Sequence, residues 1–159
     1  MRIGFGNDIH RLGKGGSLIL AGIVISTDVG AVGHSDADAL FHAVTDAILG
    51  ALAEGDIGTH FPPDDKSWQN ADSSRFLKES IKLMKRRDYE VVNLDTTVSL
   101  EAIKLRPFIE QMRERLADFL ETDISNVSIK AKTGEGVDAV GECRAIKAEA
   151  CILLTRIPG

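Results

Sequence analysis

The spacing of apolar residues changes along this chain, and that change limits the folds it can adopt. Strand-favouring side chains occupy every second position of residues 89–100, at Val92, Leu94, Thr96, Val98 and Leu100. Between residues 36 and 53 the apolar residues instead recur at the three-to-four spacing of an amphipathic helix. A chain carrying both patterns has to pack helices against a sheet. We therefore predict an α+β fold, with one mixed or antiparallel sheet covered by helices.

Further elements follow from the same patterns and from their flanking turn residues. Strands are predicted over residues 1–10, 17–20, 23–26, 127–131 and 146–154, and helices over 36–53, 72–87 and 107–119. Glycine-bearing loops are predicted at 28–35 and 54–70. Gly4 and Gly6 interrupt the first strand, where glycine allows another backbone or a ligand to approach closely. The 159 residues suit one domain, so we predict a single domain over 1–159.

Charge and cysteine content exclude several classes of protein. Nineteen basic residues against 24 acidic ones leave a net charge of −5, which argues against a general binder of nucleic acid or anionic membranes. Cys143 and Cys151 are the two cysteines, without CxxC spacing and without a secretory leader before them, as expected in the reduced cytoplasm. A core of this size needs no metal to hold it together, so a bound metal would serve function.

Histidines are concentrated near the start of the chain, since three of the four lie within the first 42 residues. Asp8 and His10 are two apart on a predicted strand and leave the same face of it. His42 lies within a predicted helix, with Asp46 one turn later and able to orient it. These residue types suit zinc with one open position. Spacing alone leaves a second interpretation open, in which the strand pair and the helical histidine are solvated surface groups.

Two further segments have the chemistry of phosphate sites. His34 and Ser35 precede a helix N-terminus, which attracts anions, although Ser35 can equally be a simple cap. Lys132 and Thr133 are followed by Gly134 and Glu135, which together supply a cation, a hydroxyl, flexible backbone and a carboxylate suited to Mg²⁺. The order of these residues excludes a P-loop. A plain solvated turn is the alternative.

Several motifs, in this order and spacing, resemble the 2-C-methyl-D-erythritol 2,4-cyclodiphosphate synthase family. They are RIGFGNDIHR at 2–11, HSDAD at 34–38, His42 with Asp46, GDIG at 55–58 and FPPDD at 61–65. The resemblance extends from residue 1 to 154. It implies conversion of 4-diphosphocytidyl-2-C-methyl-D-erythritol 2-phosphate to a cyclic diphosphate and CMP, in the non-mevalonate isoprenoid pathway.

The resemblance also implies roles for particular residues. Asp8, His10 and His42 would hold a divalent metal, usually zinc, and Glu135 a Mg²⁺ that arrives with the diphosphate. His34 and Thr133 would stabilise the transition state. The implied substrate contacts are Asp8, His10, His34, Ser35, Asp56, Ile57, Gly58, Phe61, Pro62, Pro63, Asp64, Asp65, Leu100, Glu101, Ala102, Ile103, Lys104, Leu105, Arg106, Lys132, Thr133, Gly134, Glu135 and Glu142. Family members are homotrimers with sites between subunits, which act on a small nucleotide substrate without nucleic acid or membrane partners.

This chain departs from the usual family pattern at a few positions. Ala139 and Glu142 replace a common aromatic residue and arginine, and Arg144 replaces a common glutamate, as in a plant-like form of this loop. Pro63 replaces a substrate-binding aspartate, so Asp64 or Asp65 would take that role. The residues also allow a zinc hydrolase, with Asp46 or Glu135 as base, or a binding module without turnover. They assign no role to His60.

Overall fold

The computed structural model describes residues 1–33, 35–62, 68 and 71–158. Its strands are β1 (Arg2–Lys14), β2 (Leu18–Leu20), β3 (Ile23–Ser26), β4 (Val29–Val32), β5 (Tyr89–Ser99), β6 (Val127–Lys132) and β7 (Ala145–Arg156). Its α-helices are α1 (Ala39–Leu52), α2 (Ile57–His60), α3 (Ser74–Arg86), α4 (Ile109–Leu120) and α5 (Asp138–Gly141). Single 3₁₀ turns at Arg106–Phe108 and Ile124–Asn126 precede α4 and β6.

One mixed sheet organises the chain, as predicted. Its strand order is β4-β1-β7-β5-β6, with β5 and β6 parallel and the other neighbours antiparallel. The predicted hairpin forms a separate two-stranded ribbon of β2 and β3. Because Asp8 of β1 pairs with Ala148 of β7, which in turn pairs with Val98 of β5, these three residues lie in one row across the sheet.

The helices in the described part of the chain cover one face of the sheet and leave the other without a helical layer. On the covered face, α1 packs against β1 and β7, while α3 packs beside α1 and against β5. On the opposite face of β1, the side chains of Ile3, Phe5 and Ile9 are 70%, 60% and 58% exposed. Apolar side chains of this size are normally buried. None of the described helices has the length and apolar character that crossing a membrane requires.

Two predicted loops contain regular structure. Residues 29–32, predicted as part of the 28–35 loop, form β4 and pair with the second half of β1, which continues to Lys14. Gly30 explains the error. In the sequence it indicates a loop, whereas in the structure it lies in a strand, where an added Cβ would be 2.8 Å from the carbonyl oxygen of Gly15. The close approach of two backbones therefore requires this glycine within a strand. The one-turn helix α2 lies within the predicted 54–70 loop.

The backbone of α1 rests directly on β1 at Gly4 and Gly6, which confirms the predicted close approach. A Cβ added to Gly4 would lie 1.9 Å from the carbonyl oxygen of Ala47, and one on Gly6 2.1 Å from that of Ala43. Neither carbonyl can move without shifting the helix. These two glycines therefore set how closely α1, with His42 on it, approaches Asp8 and His10.

Replacing Gly6 by alanine should push α1 away from β1. Such overpacking typically costs about 1–3 kcal/mol of unfolding free energy, and more where backbone must move. Gly50→Ala is the matched control, because its Cβ would meet only the carbonyl oxygen of Phe5 at 3.7 Å, and alanine in a helix gains about 0.5–1 kcal/mol over glycine. Urea unfolding of both variants checks this prediction, and equal stabilities would contradict it.

Asp38 fixes where α1 begins. This fully buried carboxylate accepts the backbone N–H of Phe41 at 3.0 Å and that of Gly22 at 2.7 Å, so it caps the helix and ties it to the β2–β3 turn. Burial raises the pKa of Asp38 to about 6, although both N–H groups oppose the shift. The start of α1, four residues before His42, is thus held from two sides.

Candidate functional site

Asp8, His10 and His42 converge on one point between β1 and α1. Asp8 Oδ2 lies 2.8 Å from His10 Nε2 and 2.8 Å from His42 Nδ1, and the two nitrogens are 3.2 Å apart. The shared strand face of Asp8 and His10 follows the prediction, and α1 brings His42 to them across 34 residues. Among the described residues, these three form the single group of side chains arranged to hold a metal ion.

The geometry of this triad fits a metal with tetrahedral coordination. With metal–nitrogen distances of about 2.0–2.1 Å, neighbouring ligand atoms in a tetrahedral zinc site lie roughly 3.3 Å apart. The observed triangle is slightly smaller and requires only a small expansion. Two imidazole nitrogens and one carboxylate oxygen form a set that zinc accepts, and three protein ligands leave a fourth position for a substrate oxygen.

Mutual interactions keep the Asp8 carboxylate ionised. Burial by itself would raise the pKa of Asp8, but hydrogen bonds from His10 and His42 and their charges hold it well below its usual range. Burial likewise opposes protonation of His10, yet the Asp8 carboxylate raises the pKa of that imidazole above its ordinary value. Asp8 is therefore a ready anionic ligand at neutral pH.

The second ring nitrogen of His42 contacts serines rather than Asp46. His42 Nε2 lies 2.8 Å from Ser73 Oγ and 3.2 Å from Ser35 Oγ. Asp46 Oδ1 instead accepts the backbone N–H of Ile57 at 2.7 Å, so the prediction that Asp46 orients His42 is wrong. One helical turn along α1 places Asp46 beside α2, which no spacing argument could reveal. Asp46 thus anchors α2 close to the metal-binding triad.

Sequence reasoning missed Ser73 as a site residue. Its position before a helix indicates a cap, but its side chain makes no capping bond, and Asp72 Oδ1 accepts the backbone N–H of Ser74 at 2.8 Å instead. The ADSS string at 71–74 offers several equivalent capping groups. Only the packing of α3 beside α1 selects the one that faces His42.

The proposed phosphate residues next to the triad are described in part. Ser35 Oγ accepts the backbone N–H of Ala37 at 3.2 Å and lies 3.2 Å from Ser73 Oγ, while Asp38 rather than Ser35 caps α1. Ser35 therefore sits at the mouth of the metal-binding triad with its hydroxyl directed to His42. His34 lies outside the described residues.

A second cluster forms where β5 and β6 end side by side. A cavity of about 280 Å³ is lined by Leu100, Glu101, Ile103, Lys104, Leu105, Arg106, Ala131, Lys132 and Thr133. It unites two segments predicted separately, and of residues 100–106 all except Ala102 line it. Hydrogen bonds fix its rim, since the backbone N–H of Gly134 donates to Glu101 Oε2 at 2.8 Å, and Thr133 Oγ1 donates to Glu135 Oε1 at 2.7 Å.

The 54–62 segment forms α2, which Asp46 binds to the side of α1. Asp56 Oδ1 caps this turn by accepting the backbone N–H and the hydroxyl of Thr59 at 2.8 and 2.7 Å, and these bonds lower the pKa of Asp56. Ile57, Gly58 and Pro62 are half-buried or exposed. Pro63, Asp64 and Asp65 lie outside the described residues. The His60 ring bonds only to the Glu54 carbonyl oxygen among the described residues, at 2.8 Å.

Aromatic rings line the same side of the site. The ring centroid of Phe61 is 4.9 Å from those of Trp68 and Phe76, and the Phe76 centroid is 5.8 Å from that of His42. This aromatic cluster contacts the ring of His42 through Phe76. It also provides an apolar surface beside the triad, within reach of a carbon-rich part of a ligand.

The 137–144 segment, where the chain departs from the family pattern, is compact. A Cβ on Gly141 would lie 2.5 Å from the carbonyl carbon of Gly136, so the turn closes tightly on itself. The guanidinium of Arg144 donates to Glu142 Oε2 at 2.7 Å, and both side chains are exposed. Glu142 is thus paired within the chain.

Comparisons with known proteins agree with one family. A family model described as the YgbB family matches residues 1–155. The 2-C-methyl-D-erythritol 2,4-cyclodiphosphate synthase of Brachyspira hyodysenteriae is 47% identical over 156 residues, covering 98% of this chain and 99% of the relative. A solved 2C-methyl-D-erythritol-2,4-cyclodiphosphate synthase in a CDP-bound form is 36% identical, with a TM-score of 0.90 over 97% of this chain and 100% of its own.

A longer protein contains the same fold. The bifunctional IspDF of Campylobacter jejuni is 33% identical, with a TM-score of 0.94 over 98% of this chain. This chain spans 42% of the length of that protein. The fold described above therefore occurs both as a whole chain and as part of a larger one.

Proposed function

This chain belongs to the YgbB family, and on that premise we propose that the two clusters described above are the two halves of one active site. The protein is a lyase that converts 4-diphosphocytidyl-2-C-methyl-D-erythritol 2-phosphate to 2-C-methyl-D-erythritol 2,4-cyclodiphosphate and CMP in isoprenoid biosynthesis. One observation carries the assignment of the residues, namely the convergence of Asp8, His10 and His42 at 2.8–3.2 Å.

The reaction asks little covalent chemistry of the protein. The 2-phosphate of the substrate attacks the β-phosphorus of its own diphosphate, and the bond from that phosphorus to CMP breaks. Because the nucleophile is part of the substrate, catalysis consists of aligning the two phosphates and neutralising their charge. No side chain needs to form a bond to phosphorus.

Asp8, His10 and His42 are the residues that would hold a divalent metal, and their nitrogen and oxygen donors favour zinc. A metal bound there supplies Lewis-acid chemistry, withdrawing charge from a substrate phosphate oxygen. The Ser35 hydroxyl, 3.2 Å from His42 Nε2, is placed to donate to a phosphate oxygen, and we assign His34 to the same phosphate. The aromatic ring of Phe61 would cover the methylerythritol carbons, and Asp56 would accept hydrogen bonds from the methylerythritol hydroxyls.

The cavity between β5 and β6 would bind the CMP part. Backbone groups of residues 100–106 can read the cytosine edge, while Lys104, Arg106 and Lys132 are the cations for phosphate. The Thr133 hydroxyl, which donates to Glu135 Oε1 in the chain alone, would turn its hydrogen to the phosphorus oxygens as their charge increases, the type of contact worth about 10²–10³ in rate. Glu135 is the carboxylate that would hold Mg²⁺, a hard cation that prefers oxygen ligands. The CDP-bound form of a solved relative supports the binding of a cytidine nucleotide by this chain.

We also propose that the chain works as a homotrimer with each site shared between subunits. The support is the sheet face that lacks a helical layer, where the exposed Ile3, Phe5 and Ile9 form an apolar surface suited to another copy. The mixed side chains that β7 places on this face can pair across such an interface. The two clusters of one site would then come from neighbouring chains in a cyclic assembly.

Replacing Phe5 by glutamate should break this assembly. A carboxylate at the centre of the apolar face would lose its hydration in the interface, and an unpaired buried charge costs several kcal/mol. Analytical ultracentrifugation should show three times the chain mass for the unaltered protein and mainly single chains for the variant. Val24→Glu is the control, because this exposed valine lies on the β2–β3 ribbon. A trimer that survives Phe5→Glu would contradict the proposed interface.

The product of the reaction tests the function. Purified protein is mixed with the diphosphocytidyl substrate, Zn²⁺ and Mg²⁺, and CMP is followed by chromatography while phosphorus NMR identifies the second product. We expect CMP with a cyclic diphosphate. CMP with linear phosphates would instead indicate a zinc hydrolase, and binding without CMP would indicate a module without turnover.

We place the protein in the cytoplasm and treat residues 1–159 as one domain. Cys143 and Cys151 are both free, which supports a reducing compartment. One buried cluster of apolar residues joins the helices to the sheet, which supports a single folding unit.

A further inference from the structure

A chain of hydrogen bonds runs from His42 away from the metal-binding triad. His42 Nε2 lies 2.8 Å from the hydroxyl of Ser73, which is fully buried. That hydroxyl donates to Asp36 Oδ1, and the backbone N–H of Ser73 donates to Asp36 Oδ2 at 3.2 Å. Asp36 therefore accepts two hydrogen bonds from Ser73, one on each carboxylate oxygen, and fixes the position of the Ser73 hydroxyl oxygen.

The position of the Ser73 hydrogen determines the direction of the hydrogen bond between Ser73 and His42. A serine hydroxyl has one hydrogen, and an ionised carboxylate can only accept. Since Asp36 receives the hydrogen of Ser73, the short contact between Ser73 Oγ and His42 Nε2 requires the hydrogen that lies between them to be on the ring nitrogen. His42 Nδ1, 2.8 Å from Asp8 Oδ2, faces the position that a metal would occupy. With a metal bound there, Nδ1 would give its lone pair to the metal, and the single hydrogen of a neutral imidazole would lie on Nε2, directed at Ser73 Oγ.

We propose that Ser73, held by Asp36, is a positioning residue that fixes the ring orientation and metal-binding tautomer of His42. This inference rests on the proposed metal site. Metal-binding histidines generally donate their second N–H to a fixed acceptor, and loss of that acceptor typically weakens metal affinity about 10–100-fold. Here the acceptor is the Ser73 hydroxyl, which in turn donates to the negatively charged Asp36 carboxylate.

A helix-capping role for the Ser73 hydroxyl does not fit its contacts. The first turn of α3 is capped by Asp72, which accepts the backbone N–H of Ser74 at 2.8 Å. The Ser73 side chain makes no capping hydrogen bond. Removing its hydroxyl should therefore leave α3 formed while altering what His42 contacts.

Zinc affinity tests the proposal without any measurement of turnover. The metal-free protein is titrated with zinc in competition with a chromophoric chelator, for the unaltered chain, Ser73→Ala and Ser80→Ala. Ser80 is the matched control, because it is a buried serine of the same helix whose hydroxyl donates to the Leu77 carbonyl at 2.8 Å. We expect Ser73→Ala to weaken zinc binding about 10–100-fold and Ser80→Ala to leave it unchanged.

The outcomes separate the two proposals. If the unaltered chain binds no zinc, the proposed metal site is wrong. If it binds zinc and Ser73→Ala binds equally well, the metal site stands and the role of Ser73 is overturned. Circular dichroism of Ser73→Ala guards against misfolding, and if that variant does not fold, Asp36→Asn replaces it in the same titration. That change keeps the hydroxyl of Ser73 but removes the charge behind it, and unchanged zinc affinity would again overturn the inference.

Two further measurements address the mechanism. Asp36 acts on His42 through Ser73, so Asp36→Asn should weaken zinc binding in the unaltered chain and cause no additional loss in Ser73→Ala. Nitrogen-15 NMR of the zinc-loaded protein should show a proton on His42 Nε2 that exchanges slowly with water, and Ser73→Ala should accelerate this exchange at least tenfold. Additive zinc losses or an unchanged exchange rate would contradict the proposed relay.

Discussion

Replacing His42 by alanine should remove the bound zinc and reduce CMP release by on the order of 10³-fold, while the chain stays folded. The loss follows because two remaining ligands cannot fill a zinc site, and metal stabilisation of transition-state charge is worth several kcal/mol. The fold should persist because the core is apolar and continuous beneath the site. Zinc content by atomic emission and CMP release measure the two effects.

Thermal unfolding of the metal-free forms provides the decisive control for this variant. Metal-free proteins must be compared, because zinc binding alone adds stability to the unaltered chain. We expect the unfolding free energies to agree within about 2 kcal/mol. Collapse of the metal-free unaltered chain would make the metal structural rather than functional, whereas collapse of His42→Ala alone would give the His42 ring itself a structural role. His60→Ala should retain its zinc, since the ring of His60 bonds to the Glu54 carbonyl away from the triad.

Mixed trimers of two inactive variants should recover activity. His42→Ala disables the metal half of each site, and Thr133→Val disables the nucleotide half. In a cyclic trimer whose sites lie between subunits, every mixed trimer of either composition contains one intact site, so activity should return to about one third of the unaltered level. Co-expression with two different tags and purification through both tags yields these mixed trimers.

The same experiment distinguishes shared sites from sites within one chain. If both halves of a site belonged to one chain, each subunit would carry one defect and no site would be restored. Two differently tagged copies of His42→Ala, purified in the same way, establish the background rate. Activity of the mixed trimers at that background would contradict the shared site.

Local patterns predicted much of the fold because they report the immediate environment of each residue. The alternation over 89–100 and the apolar stripe over 36–53 correspond to β5 and α1. The strand β4 was missed because VGAV contains Gly30 and is followed by Gly33, both of which indicate a loop, while its stability comes from pairing with β1. Strand pairing depends on a partner distant in sequence, so no short window contains it.

The residues of the site also fall into those that local patterns predict and those that need further information. Asp8 and His10 share a face because the side chains of any strand alternate, which the sequence alone determined. Residue types also pointed to His42 and the 132–135 turn, and the resemblance to a family then favoured site roles for them over solvated surface groups.

Tertiary structure alone decided which neighbour orients His42. Spacing along α1 pointed to Asp46, but α2 takes Asp46, and α3 brings Ser73 to the ring instead. Gly4 and Gly6 show the physical reason. In the sequence they are glycines of a predicted strand, but α1 can lie this close to β1 only because they lack a Cβ. The size of the metal-binding triad depends on that distance. The residue types that bind a metal are visible in the local sequence, whereas the distances between them are set only when separate elements pack together.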